Sequence, residues 1–121
     1  MRLTLFSFRR YPAPPSLPLG HVLESNFPPS PEALNRLLRF CNEGTHPPER
    51  LALALERSCC YLSIFEESTG KLVGFVRATS DHALNVNLWN LVAIPGAQQA
   101  QILAVLVHTV LAILRRDLPG C

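Results

Sequence analysis

The sequence predicts an α+β fold in which a meander of antiparallel strands packs against helices. Two segments that follow proline clusters repeat their apolar residues at the spacing of a helix, and three later segments have strand character with turns between them. A long apolar segment near residue 110 predicts a further helix. The chain has 121 residues, of which 48% are hydrophobic, so it is long and apolar enough for one core and too apolar for a disordered chain.

The first two helices are predicted over residues 31–41 and 48–58. Ser30 is a suitable N-cap, and Pro31 occupies the first helical position, where its missing N–H costs nothing. Pro47 and Pro48 open the second helix. The apolar stripes at i, i+3, i+4 and i+7 consist of Leu34, Leu37, Leu38 and Cys41 in the first helix, and of Leu51, Ala54, Leu55 and Ser58 in the second.

Strands are predicted over residues 60–65, 72–78 and 85–94, and a long helix over 98–116 after the Pro95-Gly96 break. At the N-terminal end, residues 3–8 have the pattern of a short strand, and residues 1–20 are predicted to form an extended, proline-rich leader. The domain proper is therefore expected over residues 21–121.

Charge and composition exclude several classes of protein. The net charge is only +2 and the arginines are scattered, so nucleic acid is disfavoured, and a DNA-binding helix pair at 31–58 would lack a basic face. The longest apolar run, residues 102–114, is too short for a membrane span and favours a buried core helix. The N-terminal apolar run is too short for a signal peptide, which favours a soluble, cytoplasmic protein. The four cysteines show no metal-ligand spacing, so no metal site is expected.

The segment 71–89, KLVGFVRATSDHALNVNLW, resembles the GCN5-related N-acetyltransferases (GNAT), in particular their cyanobacterial and plastid type. The pattern G-F-x-R-A-T-S-D, followed by an asparagine and then a tryptophan near the start of the fourth strand, is the specific part of this resemblance. The matching residues are Gly74, Phe75, Arg77, Ala78, Thr79, Ser80, Asp81, Asn85 and Trp89. The resemblance extends over roughly residues 20–118 and implies a GNAT-like, mostly antiparallel sheet flanked by helices.

The resemblance also implies an activity, the transfer of an acetyl group from acetyl-CoA to an amine by direct attack on the thioester. The acceptor would be a protein N-terminus, a lysine or a small amine. In this family the pantetheine amides pair with the fourth strand, here Leu91, Val92, Ala93 and Ile94. The pyrophosphate lies at the N-terminus of the next helix, where Gln98 matches the family loop, and a backbone N–H of the fourth strand stabilises the oxyanion.

Three departures from the family pattern suggest an altered enzyme. Gln101 and Leu103 replace the two glycines of the pyrophosphate loop, so their side chains are expected to obstruct the phosphates. Asn90 stands where the subgroup usually has an aspartate, and an amide cannot accept a proton. No strand follows the third main helix, so the fold is expected to be truncated there.

The candidate site residues have alternative interpretations. Arg77 and Trp89 are predicted to line the acceptor side, but Arg77 would equally suit a structural pair with Asp81, and Trp89 a core position. Asp81 is the remaining candidate for the general base. His82 is expected to be an exposed turn residue, and His108 a core or interface histidine.

Two functions stay open on the sequence, a GNAT acetyltransferase and a degenerate GNAT fold that serves as a binding or interaction module. A homodimer is also expected if the chain ends at residue 121, because the fourth strand would leave an open edge and helix 98–116 would expose apolar side chains. The predicted contact consists of residues 85–94 and 98–116.

Overall fold

The computed structural model describes residues 13–120, and these form a four-stranded sheet with three helices. The strands are β1 (His21–Ser25), β2 (Cys60–Glu66), β3 (Leu72–Ser80) and β4 (Val86–Ala93), and the helices are α1 (Pro31–Phe40), α2 (Pro48–Arg57) and α3 (Gln99–Asp117). The predicted α+β class is confirmed, and so are three helices and three of the strands. The result is an antiparallel sheet flanked by helices, as the resemblance implies.

The sheet is an antiparallel meander in the order β1-β2-β3-β4. β1 pairs along its whole length with β2, from His21 opposite Glu66 to Ser25 opposite Leu62. The sequence prediction missed this strand, because it has only five residues and no strong alternation. The strand predicted at residues 3–8 lies outside the described residues.

Helices cover both faces of the sheet, and each face has its own apolar core. On one face, α1 and α2 pack over Leu72, Phe75 and Val92. On the other face, α3 packs over residues of β2 and β3 that include Leu62, Ile64 and Val76. The N-cap predicted at Ser30 is present, because its Oγ accepts a hydrogen bond from the Ala33 N–H at 3.1 Å.

Helix α3 lies on the sheet through one stripe of buried residues. The stripe consists of Ile102, Val105, Leu106, Val110 and Leu114. By length and composition α3 is the one described helix that is apolar enough to cross a membrane, but this packed stripe is that of a core helix. His108 is exposed, so its prediction as a core histidine is wrong, and an interface position stays untested.

Helix α3 approaches the sheet closely at Gly74. A Cβ at this position would lie 2.7 Å from Cγ2 of Ile102 and 3.3 Å from Cδ1 of Leu106. The neighbouring Phe75 is fully buried in the opposite core. The Gly-Phe pair of the recognised motif is therefore structural, because it sets the distance between the layers.

Candidate active site

Strand β4 is interrupted by a bulge at Asn90. Across the ladder, Arg77 faces Trp89 and Phe75 faces Val92, so that Asn90 and Leu91 both lie opposite the single residue Val76. Asn90 has a φ of 54°, a left-handed conformation that asparagine tolerates better than most residues. Such a bulge disrupts the regular ladder and re-aims the residues beside it. Strand β4 has no strand on its outer side within residues 13–120.

A cleft of about 430 Å³ lies beside the bulge, between α2, β3 and β4. Its lining combines arginines, a histidine and an asparagine with apolar side chains. The lining residues are His46, Arg50, Leu51, Leu53, Ala54, Arg57, Arg77, Trp89 and Asn90. The two residues predicted on the acceptor side, Arg77 and Trp89, therefore lie together in one cleft.

Arg77 is half-buried and held by neutral partners. Its Nε donates to Oδ1 of Asn90 at 2.8 Å, and Nη1 lies 3.5 Å from Oγ of Ser58. Burial lowers the pKa of the guanidinium. No carboxylate pairs with Arg77 in the described part of the chain, and the structural pair with Asp81 considered from the sequence is absent. The arginine therefore offers its remaining donors to the cleft.

Trp89 forms an exposed wall of the cleft. Its side chain is 48% exposed, so its interpretation as a core residue is wrong. The indole Nε1 donates to Oγ1 of Thr79 at 2.8 Å, and the guanidinium carbon of Arg77 lies 5.8 Å from the ring centroid. The ring is thus fixed in place while much of its surface stays open.

The sequence analysis missed the residues that α1 and α2 contribute. His46 lies in the α1–α2 connection, where the Asn35 side chain clamps its main chain through bonds of 2.8 and 3.0 Å. Arg50 and Arg57 lie outside the apolar stripe of α2, so the pattern favours a solvated position for both. Their role at the cleft depends on how α2 packs against the sheet, and no local signal reports that.

Asp81 closes the β3–β4 loop. Its Oδ1 accepts hydrogen bonds from the N–H groups of Leu84, Ala83 and Asn85 at 2.9, 2.9 and 3.2 Å, and these bonds lower the pKa of the carboxyl. The side chain is exposed and does not line the cleft. Its assignment as a general base stays a prediction. His82 is exposed in the same turn, as predicted.

Helix α3 begins at Gln99, a few residues after β4 ends at Ala93. The N–H groups of Ala100 and Gln101 have no acceptor among residues 13–120, so they are open to an anion. Gln98 is the exposed N-cap residue and makes no side-chain capping bond. These groups and the open edge of β4 fit the phosphates and pantetheine of acetyl-CoA.

The two residues that replace glycines are engaged elsewhere. The Gln101 amide donates to the carbonyl of Ser16 at 2.7 Å, and Leu103 packs against the core under α3. Obstruction of the phosphates would therefore come mainly from the Cβ atoms of these two residues. Any further obstruction would depend on the direction of the Gln101 side chain. It stays a prediction.

Sequence comparison identifies relatives named as acetyltransferases. The chain is 33% identical over 72 residues to an uncharacterised N-acetyltransferase, ycf52, of Pyropia yezoensis, with 58% of this chain and 41% of that protein covered. It is 32% identical over 94 residues to the probable acetyltransferase TAP2 of Glycine max, with 68% of this chain and 38% of that protein covered. The chain thus spans about two fifths of the length of these curated relatives. No family model matches.

Structure comparison identifies the fold as that of GNAT proteins. A GNAT-family acetyltransferase of Streptococcus pneumoniae superposes with a TM-score of 0.64 at 19% identity, covering 84% of this chain and 70% of that one. A probable acetyltransferase of Staphylococcus aureus gives 0.68 at 10% identity, covering 78% and 71%. The chain therefore has the GNAT fold. Together with the curated relatives named as acetyltransferases, this fold confirms the resemblance found in the sequence.

Proposed function

We propose that the chain carries the acceptor side and much of the cofactor side of an acetyltransferase that moves an acetyl group from acetyl-CoA to an amine. The proposal is supported most strongly by the arrangement around β4. This bulged strand, which has an open edge within the described chain, lies between the cleft and the N-terminus of α3, where two N–H groups have no acceptor among the described residues.

Acetyl-CoA would supply the activated acyl group, a thioester. The backbone of Leu91, Val92, Ala93 and Ile94 would pair with its pantetheine amides along the open edge. The start of α3, at Gln98, would hold its pyrophosphate. A β4 N–H near the bulge would donate to the thioester oxygen and stabilise the charge that develops there.

The acceptor amine would lie in the cleft beside Arg77 and Trp89. The neutral amine nitrogen attacks the thioester carbonyl carbon; a C–N bond forms, the C–S bond breaks, and CoA leaves as a thiolate that takes up a proton. The amine must first lose its own proton, which calls for a base within reach, directly or through water. Among the side chains that line the cleft, only the imidazole of His46 can accept a proton.

His46 and Asp81 are therefore the two candidate bases. His46→Gln should lower kcat by about 100-fold or more, because the amide cannot accept the proton of the amine, whereas Asp81→Asn should leave kcat unchanged. The measurement is CoA release with a panel of primary amines. The reverse result would assign the base to Asp81, and the absence of transfer with every amine by the wild type would refute the proposed activity.

A second function, a GNAT fold that binds without catalysis, is supported by the altered loop at Gln101 and Leu103. It predicts ligand binding in the cleft without turnover. Acetyl-amine formation by the wild-type chain that is abolished by a cleft variant would exclude it.

The setting of this activity is also a proposal. The described elements would correspond to the N-terminal and central part of a GNAT domain over residues 21–121, in a soluble, cytoplasmic protein. Two chains would pair through the open edge of β4 (residues 85–94) and the helix 98–116, the predicted dimer contact. Because acetyl-CoA would use the same edge, light scattering should show fewer dimers when acetyl-CoA is added.

A further inference from the structure

We propose that the acceptor is an anionic amine, a small molecule in which a carboxylate accompanies the amine that is acetylated. This inference rests on the proposed acetyl transfer and names the class of its acceptor. The observation behind it is the charge of the cleft. Three arginines line it, and no carboxylate does within the described chain.

The arginines converge from two elements. Arg50, Leu53, Ala54 and Arg57 recur at i, i+3, i+4 and i+7 and therefore share one face of α2. Arg77 lines the same cleft from β3. Guanidinium groups bind carboxylates in a planar, two-point geometry, so this cleft can hold an anion from two sides.

The cleft arginines have no carboxylate partner within the described chain. The ion pair of the described chain joins Arg116 to Asp117 at the far end of α3, and none of the cleft arginines forms one. Arg77 is bound by an amide and a hydroxyl, which fix the guanidinium but leave its charge uncompensated. A half-buried cation of this kind gains most from an anionic ligand, because burial reduces the competition from water.

The cleft also has apolar walls, and its volume is that of a metabolite. Leu53 is 41% exposed and Trp89 is 48% exposed, and the 430 Å³ between them suits a molecule the size of an aromatic amino acid. A flat side group would stack on the indole while the carboxylate reached the arginines. A cationic acceptor, such as a diamine or a lysine-rich peptide, would instead be repelled.

The test compares two amines that differ only in the carboxylate, tryptophan and tryptamine. With the full chain and acetyl-CoA, kcat/KM for tryptophan should exceed that for tryptamine by about 10-fold or more. The double variant Arg50→Gln/Arg57→Gln should reduce that ratio towards one and leave the Kd of acetyl-CoA unchanged. Arg36→Gln, an exposed arginine of α1 outside the cleft, is the matched control and should keep the full ratio.

The outcomes separate this inference from the proposed function. Equal or faster transfer to tryptamine would overturn the anionic acceptor while the acetyl transfer stood. If neither amine were acetylated, the proposed function would fail, and titration of N-acetyltryptophan against N-acetyltryptamine would decide the cleft's preference. The Trp89 indole N–H resonance should then shift with the carboxylate compound at a concentration at least about 10-fold lower. Equal response to both compounds would refute the inference.

Discussion

Asn90 shows how one residue shapes both the backbone and the electrostatics of the cleft. Its left-handed φ of 54° forms the bulge, and its Oδ1 holds Nε of Arg77 at 2.8 Å. An aspartate here, as the subgroup usually has, would lie against a cation that favours its charged form and would be a weak base at neutral pH. In this chain the neutral asparagine instead binds Arg77 without compensating its positive charge.

Replacement of Asn90 should reveal both contributions. Asn90→Ala should lower the free energy of unfolding by about 1–3 kcal/mol, because it strains a positive φ and leaves a half-buried donor without its partner. Asn90→Gly loses the same hydrogen bond without the strain and should cost less. Urea denaturation gives the values, with the exposed Asn87→Ala on the same strand as control. Equal stability of Asn90→Ala and Asn87→Ala would contradict the role of Asn90 in forming the bulge and binding Arg77.

Asp81 makes stability depend on pH. Its folded-state pKa is lowered, chiefly by the backbone N–H groups of Leu84, Ala83 and Asn85, so its contribution is complete above the pKa of the unfolded chain, about 3.9, and is lost as pH falls through the folded value. Asp81→Asn should therefore lower Tm at pH 7, and the difference should shrink as the pH falls through the folded value. Ser80→Ala, at the end of β3, should lower Tm equally at pH 7 and in acid, because its hydrogen bonds to Asn85 and His82 do not involve a carboxylate. A pH-independent Asp81→Asn difference would refute this role.

At the scale of elements, two local features of the sheet, at Gly74 in β3 and at the bulge in β4, affect how the helices pack against it. Gly74 lets α3 approach β3, and the bulge in β4 lies between Trp89 and Val92, which both face the α2 side. The sequence predicts β4 as one continuous strand, because a bulge leaves the alternation intact on each side of it. The start and end of the helices were predictable, since prolines and caps fix them locally.

Gly74→Ala should destabilise the protein by about 1–3 kcal/mol, because the added methyl would meet Cγ2 of Ile102 at 2.7 Å and the core must move to admit it. Gly44→Ala is the matched control, because nothing lies within 4 Å of its Cβ and its φ is not positive. That variant should be neutral or slightly stabilising. Chemical denaturation measures both, and a neutral Gly74→Ala would show that α3 does not press on the sheet there.

At the scale of the whole molecule, local patterns predicted every described element except β1, and part of the cleft. Arg77 and Trp89 were found through the motif, whereas His46, Arg50 and Arg57 were not, because their sequence positions are those of ordinary surface residues. They meet β3 and β4 only when α2 folds onto the sheet. These residues can therefore be assigned to the cleft only once the position of α2 against the sheet is known.

The central claim is that acetyl-CoA lies along the open edge of β4 and on the N-terminus of α3. Hydrogen–deuterium exchange of the full chain with and without acetyl-CoA tests it most directly. The account predicts slower exchange at residues 91–94 and 98–101, with β1 unchanged as the internal reference. Unchanged exchange at both segments at saturating acetyl-CoA, or protection confined to another surface, would contradict it.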